Sequence, residues 1–228
     1  MRVRIITAGA TFTPRQKIRL LALNALPLAH LVALVVVVRL TPGGASTQLA
    51  LGLVWLFLLP PLVARYVLRP GLPSGEIAVP SDDFFRWWTV WQLQSVFNRL
   101  PWLEEGLRFI PGAYSQWLRL WGAEIGQLTL WSPGVRVFDR PMLRIGDDVV
   151  LGLDTRIVGH FGGLDADGHS SFTLGLVTIG DRCILGASSL LAPGVTLEPD
   201  QATEALFLGT PFSHWRDGQR ILPDPPSS

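Results

Sequence analysis

Charge is scarce in this chain of 228 residues: Asp, Glu, Lys and Arg make up 16% of it, against roughly 25% in an average soluble domain. Cysteine is nearly missing. The single Cys183 excludes an intramolecular disulfide framework and fits a reducing compartment. Acid is almost absent from the first eighty residues, where Glu76 stands against eight Arg and Lys, a balance of +7; the remainder carries eleven Arg against seventeen acids, or −6. That acidic second part excludes nucleic acid as the partner, because neutralising phosphates takes a clustered basic surface. Apolar residues are abundant at 48%, with a mean hydropathy of +0.34, which excludes disorder and points to lipid.

The apolar excess is concentrated in residues 1–80. Leu20 to Val38 runs without formal charge between Arg15, Lys17 and Arg19 on one side and Arg39 on the other, and Leu49 to Ala64 forms a second uncharged run closed by Arg65 and Arg69. A bilayer core of about 30 Å takes about 20 helical residues, so the reading is a two-span hairpin over about 20–38 and 49–64, turning at Thr41-Pro42-Gly43-Gly44. The basic residues gather at its two outer ends, with Arg39 alone near the tip, so both ends and the domain that follows are expected on the cytoplasmic side. A cleaved signal peptide or a buried helix pair is the competing reading. His30, inside the first run, is expected to pack against the second helix.

Seven of the nine tryptophans fall between residues 87 and 131. Ser81-Asp82-Asp83 is a helix-start signal, and Phe84, Trp87, Trp88 and Trp91 then recur at helical spacing. Tyr114, Trp117, Leu118 and Trp121 repeat the pattern. Residues 81–124 are thus a helical bridge whose aromatic face suits either the headgroup layer or burial against the next domain.

From Ile125 a six-residue period takes over. Apolar residues stand at Ile125, Trp131, Val137 and Leu143, then after a two-residue slip at Ile145, Leu151 and Ile157, and again at Ile179, Leu185, Leu191 and Leu197. The fifth position of the hexads is small or β-branched: Val149, Thr155, Cys183, Ser189 and Val195. A helix cannot produce this period; a coil of short parallel strands can, with one inward aliphatic per hexad and three hexads per triangular turn. Cys183 is then a corner residue and not a reactive thiol, since no cation beside it in sequence would activate it.

The segment Ile179-Gly-Asp-Arg-Cys-Ile-Leu-Gly-Ala-Ser-Ser-Leu-Leu-Ala-Pro-Gly-Val-Thr196 resembles the transferase hexapeptide-repeat signature, and Phe207-Leu-Gly-Thr-Pro-Phe212 resembles the Gly-Asn-Pro-Ala segment that often ends such domains. Residues 117–161 are similar to the C-terminal hexapeptide domains of polylysine-synthetase-like proteins, which are membrane-associated. The likeness covers about residues 112–212. It implies an α+β membrane protein with a left-handed parallel β-helix over 125–212 and a C-terminal tail over 213–228. It also implies acyl transfer from acyl-CoA, acetyl-CoA foremost, or from an acyl-carrier protein, and a homo-oligomer, a trimer being favoured.

The hexads break after Ile157, and the insertion from Gly159 to Thr173 brings His160, Asp165, Asp167 and His169 close in sequence. Loops on a rigid solenoid are suited to function. In the resembled acyltransferases a His at a coil corner beside an extruded loop is the general base, which implies that role for His160. His169 is the weaker candidate, and Asp165 or Asp167 would orient the imidazole. The resemblance further implies a pantetheine groove at the coil edge, with Ala187 and Ser188 offering backbone N–H groups and Gly209 and Pro211 closing it. No metal is expected: Asp165-Ala-Asp167-Gly168 lacks the twelfth-position glutamate of a calcium loop, Leu176 standing there, and the single Cys and scattered His lack zinc spacing.

The function expected is therefore transfer of an acyl group to a hydroxyl or amine of an amphiphilic or lipid-linked acceptor at the membrane. Thr210 in place of the usual Asn, and the poor fit of residues 197–202 to the repeat, keep open a non-catalytic scaffold or carrier-protein docking module.

Overall fold

The computed structural model describes residues 12–164 and 170–221. Helix α1, Pro14–Leu40, and helix α2, Ala45–Val67, form a hairpin that extends past both uncharged runs. The extension of α1 has a local cause: Thr13 accepts a hydrogen bond from the Gln16 amide at 3.3 Å while the Gln16 side chain takes the Thr13 N–H at 2.9 Å, a reciprocal cap that starts the helix a turn before the apolar stretch. The two helices meet closely at Gly52, facing Leu34 and Val38, and His30 stacks on Trp55 with centroids 6.1 Å apart. Both are long and apolar enough to cross a membrane, and Leu28, Val35, Leu49 and Leu53 are exposed along them.

Helix α3, Asp82–Arg99, starts where Ser81 Oγ accepts from the Phe84 amide at 3.1 Å. Its aromatic face is turned inward: Phe84 and Trp87 are buried. Trp88 and Gln92 instead reach α1, both donating to the Asn24 side-chain oxygen, at 2.9 and 3.1 Å. Helices α4, Trp102–Arg108, and α5, Ala113–Trp121, follow. Tyr114, Trp117, Leu118 and Trp121 are all buried, and the Arg119 guanidinium bonds the carbonyls of Ile125 and Gly126, so α5 closes the first end of the coil.

The coil consists of three parallel sheets. The first face stacks Glu124–Ile125, Leu143–Ile145, Val177–Ile179, Thr196–Leu197 and His214–Arg216. The second stacks Leu130–Trp131, Val150–Leu151 and Ile184–Leu185, and the third Arg136–Val137, Arg156–Ile157, Leu190–Leu191 and Leu208–Gly209. The register superposes the hexad aliphatics, Ile125 on Ile145 on Ile179 on Leu197 and Val137 on Ile157 on Leu191, and they fill the interior. Burying each is worth about 1.5–3 kcal/mol. Val149, Thr155, Cys183, Ser189 and Val195 are buried at the corners. Each follows a residue with left-handed backbone: Asp148, Asp154, Arg182, Ser188 and Gly194 have φ of +56°, +56°, +55°, +58° and +76°.

Two irregularities occur at one corner, between the third and first faces. The two-residue slip is a 3-10 turn, Arg140–Met142, after which Leu143 and Ile145 both point inward. One coil later the hairpin of strands His160–Leu164 and Ser170–Leu174 leaves the coil and pairs with strand Gly75–Ile77. At the far end His214–Arg216 turns back on Gln219–Ile221 in antiparallel fashion. The paired strands thus continue past residue 212, and the region read as a tail begins inside the sheet.

Candidate active site at the enlarged corner

Register brings the site together. Val137 lies opposite Ile157, and the Phe138 amide donates to the Ile157 carbonyl at 2.9 Å. Two residues on, Asp139 therefore stands beside Gly159 and His160. A side chain at Gly159 would lie 2.9 Å from Asp139 Cβ and 2.8 Å from Met142 Cβ, so glycine permits the approach.

Asp139 is buried, its side chain 1% exposed, and its carboxylate gathers three nitrogens. Oδ2 accepts from the Gly159 amide at 2.8 Å and lies 2.7 Å from His160 Nδ1; Oδ1 accepts from Trp87 Nε1 at 3.0 Å. A carboxylate only accepts, so this network places an imidazole proton on Nδ1; Nε2 has no partner among the described residues and is the nitrogen that bears the lone pair in the neutral ring. Trp87, Trp91 and Phe172 wall the ring, with centroids 4.8, 4.6 and 5.9 Å from it. The His160 side chain keeps 19% of its surface exposed. A held imidazole with one free nitrogen can take and return a proton.

The turn bearing Asp139 is fixed from behind. The Arg140 amide donates to Gln94 Oε1 at 2.8 Å, and the fully buried guanidinium pairs with Glu104 and donates to Gln94 and Asn98 at 3.1 and 3.0 Å. Tyr114 Oη donates to the other Glu104 oxygen at 2.5 Å; burial first, then the Glu104 charge, raises the phenol far above its ordinary pKa, so it stays a donor.

Against that geometry, neither a family model nor a curated protein matches the chain. Solved structures do resemble it. A hexapeptide-repeat acetyltransferase from Vibrio cholerae O1 biovar eltor, complexed with acetyl coenzyme A, is 12% identical over 57% of this chain and 88% of that one, with a TM-score of 0.35. A galactoside acetyltransferase in complex with coenzyme A is 12% identical over 71% of this chain and 90% of that one, TM-score 0.36. A maltose O-acetyltransferase from Clostridium difficile 630 is 14% identical over 56% and 84%, TM-score 0.33.

The other residues singled out in the sequence fall elsewhere. Asp165, Asp167 and His169 lie outside the described residues. The carboxylate on His160 is Asp139, which the sequence reading passed over; its signal was the slip between Leu143 and Ile145. Gly209 and Pro211 are on the His160 corner, two coils away, where Gly209 is inward-facing and a side chain there would press on Leu191 and Val195 at 3.1 Å. Ala187 and Ser188 occupy the opposite edge of the third face, about 20 Å away at 3.3 Å per residue. The Ser188 amide donates to the Leu153 carbonyl at 2.7 Å and is thereby taken out of the ligand donors expected there.

Proposed function

We propose that the protein transfers an acyl group, acetyl foremost, from acyl-CoA to a hydroxyl or amine of an amphiphilic acceptor at a membrane surface. The observation that carries this reading is the His160–Asp139 pair with a free Nε2 at the mouth of the corner. His160 Nε2 takes the proton of the acceptor as its oxygen or nitrogen attacks the thioester carbonyl. The C–S bond then breaks, and the departing CoA sulfur receives that proton from the imidazolium, which Asp139 stabilises throughout. The coil is wound left-handed in this reading.

The hairpin α1–α2 anchors the enzyme, with Arg15, Lys17, Arg19, Arg65 and Arg69 on the cytoplasmic side and Arg39 at the tip. Asn24, bonded to Trp88 and Gln92, ties α3 to the upper part of α1, which puts the Trp87 and Trp91 walls at headgroup depth. Self-association completes the site. Leu130 and Ile184 on the second face and Leu190 and Leu208 on the third are 57%, 52%, 37% and 54% exposed, a run of outward apolar residues either side of the Ala187–Ser188 corner. Docking this edge on a second copy, as in a trimer, brings Ala187 of one chain toward His160 of the next, where the pantetheine arm lies.

Incubating the detergent-purified chain with acetyl-CoA and a membrane lipid extract, and following free thiol, tests the reading. Acceptor-dependent release that His160→Gln abolishes supports it. Equal release from both proteins removes His160 from the chemistry, and no release with no CoA binding makes the coil a docking module.

A further inference from the structure

Helix α2 leaves its apolar run at Arg65, whose exposed guanidinium forms no ion pair or hydrogen bond among the described residues. Arg65 lines two adjoining grooves. One, of about 600 Å³, runs along the first face of the coil and also holds Arg119 and Arg144; the other, of about 350 Å³, is walled mainly by Leu68, Leu72, Trp121, Pro141, Met142 and Leu176. A basic groove and an apolar groove thus meet at one arginine.

We propose that this junction is a binding site for an anionic glycerolipid, its phosphate held by Arg65, Arg119 and Arg144 and the start of one acyl chain laid in the apolar groove. The proposal rests on the hairpin lying in lipid. Arg119 is preorganised by three bonds, at 2.7–2.9 Å, to the Ile125 and Gly126 carbonyls. Arg144 pairs with Glu124 through two bonds, at 2.7 and 2.9 Å, with both side chains exposed, 49% and 66%; that pair occupies two of the five N–H donors of the guanidinium and leaves the others to meet a phosphate. Glu124 and Asp181 also line the basic groove, so three cations face two acids. Arg65 is the first charge after the α2 apolar run, the position from which an arginine reaches the headgroup layer. The apolar groove ends on Pro141 and Met142, in the turn that carries Asp139, and Met142 lies against Gly159. A chain seated there braces the proton-accepting corner from behind.

Thermal unfolding of the full chain in detergent, titrated with short-chain phosphatidylglycerol, is the test. The expected result is a saturable rise of several degrees, with apparent affinity at least tenfold weaker in Arg65→Gln, as loss of one charge-assisted contact implies. Arg65 is exposed, so Arg65→Gln folds; an unshifted melt without lipid confirms it. Phosphatidylcholine of the same chain length giving an equal rise overturns recognition of the anionic headgroup. Inorganic phosphate giving an equal rise makes the site one for free phosphate and overturns the lipid assignment. No rise with phosphatidylglycerol overturns the site itself. Recovery of the chain in the supernatant after high-speed centrifugation without detergent overturns the membrane reading and the lipid assignment with it, and, being read without added lipid, is told apart from failure of the site itself.

Discussion

Asp139 Oδ2 lies 2.7 Å from His160 Nδ1, although the two residues are 21 positions apart and neither belongs to a hexad's aliphatic column. Coils stacked 20 residues apart, Val137 on Ile157, make them neighbours. The pair has one buried member and one facing outward, the arrangement in which a carboxylate fixes a base without competing for its substrate.

Asp139→Asn is expected to lower kcat by about 10²–10⁴-fold with KM little changed, because an amide can present its N–H to Nδ1 and move the imidazole proton to Nε2. Steady-state kinetics with acetyl-CoA, alongside circular dichroism to show an unchanged fold, checks it.

Trp87→Phe keeps an aromatic wall but removes the donor to Asp139 Oδ1. A hydrogen bond to a charged group is worth about 1.5–3 kcal/mol. The variant should lose stability of that order in denaturant unfolding and also lose kcat; a variant as stable and active as the parent would leave the indole N–H without a role.

Adjacent residues of the third face should behave oppositely. Leu191, fully buried between Ile157 and Gly209, is expected to cost about 2–5 kcal/mol on change to Ala. Leu190, its exposed neighbour, should cost little in fold stability as Leu190→Asp but weaken the self-association proposed for that edge, as read by light scattering.

Cys183 is buried, its thiol pKa raised chiefly by burial. A raised thiol pKa means less thiolate at any given pH, so at pH 8 alkylation of the native protein should run far slower than that of the unfolded chain and should accelerate only as pH climbs beyond the ordinary thiol range. Mass spectrometry of timed iodoacetamide reactions reads this directly.

Arg140→Ala should be among the most damaging single changes, at about 3–5 kcal/mol, because it takes the hydrogen-bonded cation from the buried Glu104 carboxylate and leaves it Tyr114 and the more distant Arg108, 4.0 Å away. Unfolding in urea measures it. Arg140→Ala with Glu104→Leu should recover part of the loss.

The inward columns were legible because a six-residue period matches neither the 3.6-residue turn of a helix nor the two-residue alternation of a flat sheet, and His160 because it opens the one long break in that period. Asp139 was not, since its partnership depends on register between coils and its only trace was a two-residue slip that reads as imperfection. The left-handed corner positions escaped as well: two of them, Asp148 and Asp154, are aspartates, but Arg182 and Ser188 are not, and what all four share is the place before a buried small or β-branched residue. The helix ends were underestimated because a hydropathy run does not register the Thr13 cap. Whether the tryptophans of α3 face lipid or protein was undecidable from spacing; Phe172 and His160 settle it for Trp87 by packing against it.

The last strand of the first face, His214–Arg216, receives an antiparallel neighbour, Gln219–Ile221, where another coil would otherwise be accepted. Stacked strands in register are a template for fibre growth, and a reversed strand carrying Arg220 is a poor one. Ending the chain after Asp217 should therefore bare one sheet edge and let two copies join through it, tail to tail and no further, because α5 covers the other end of the coil.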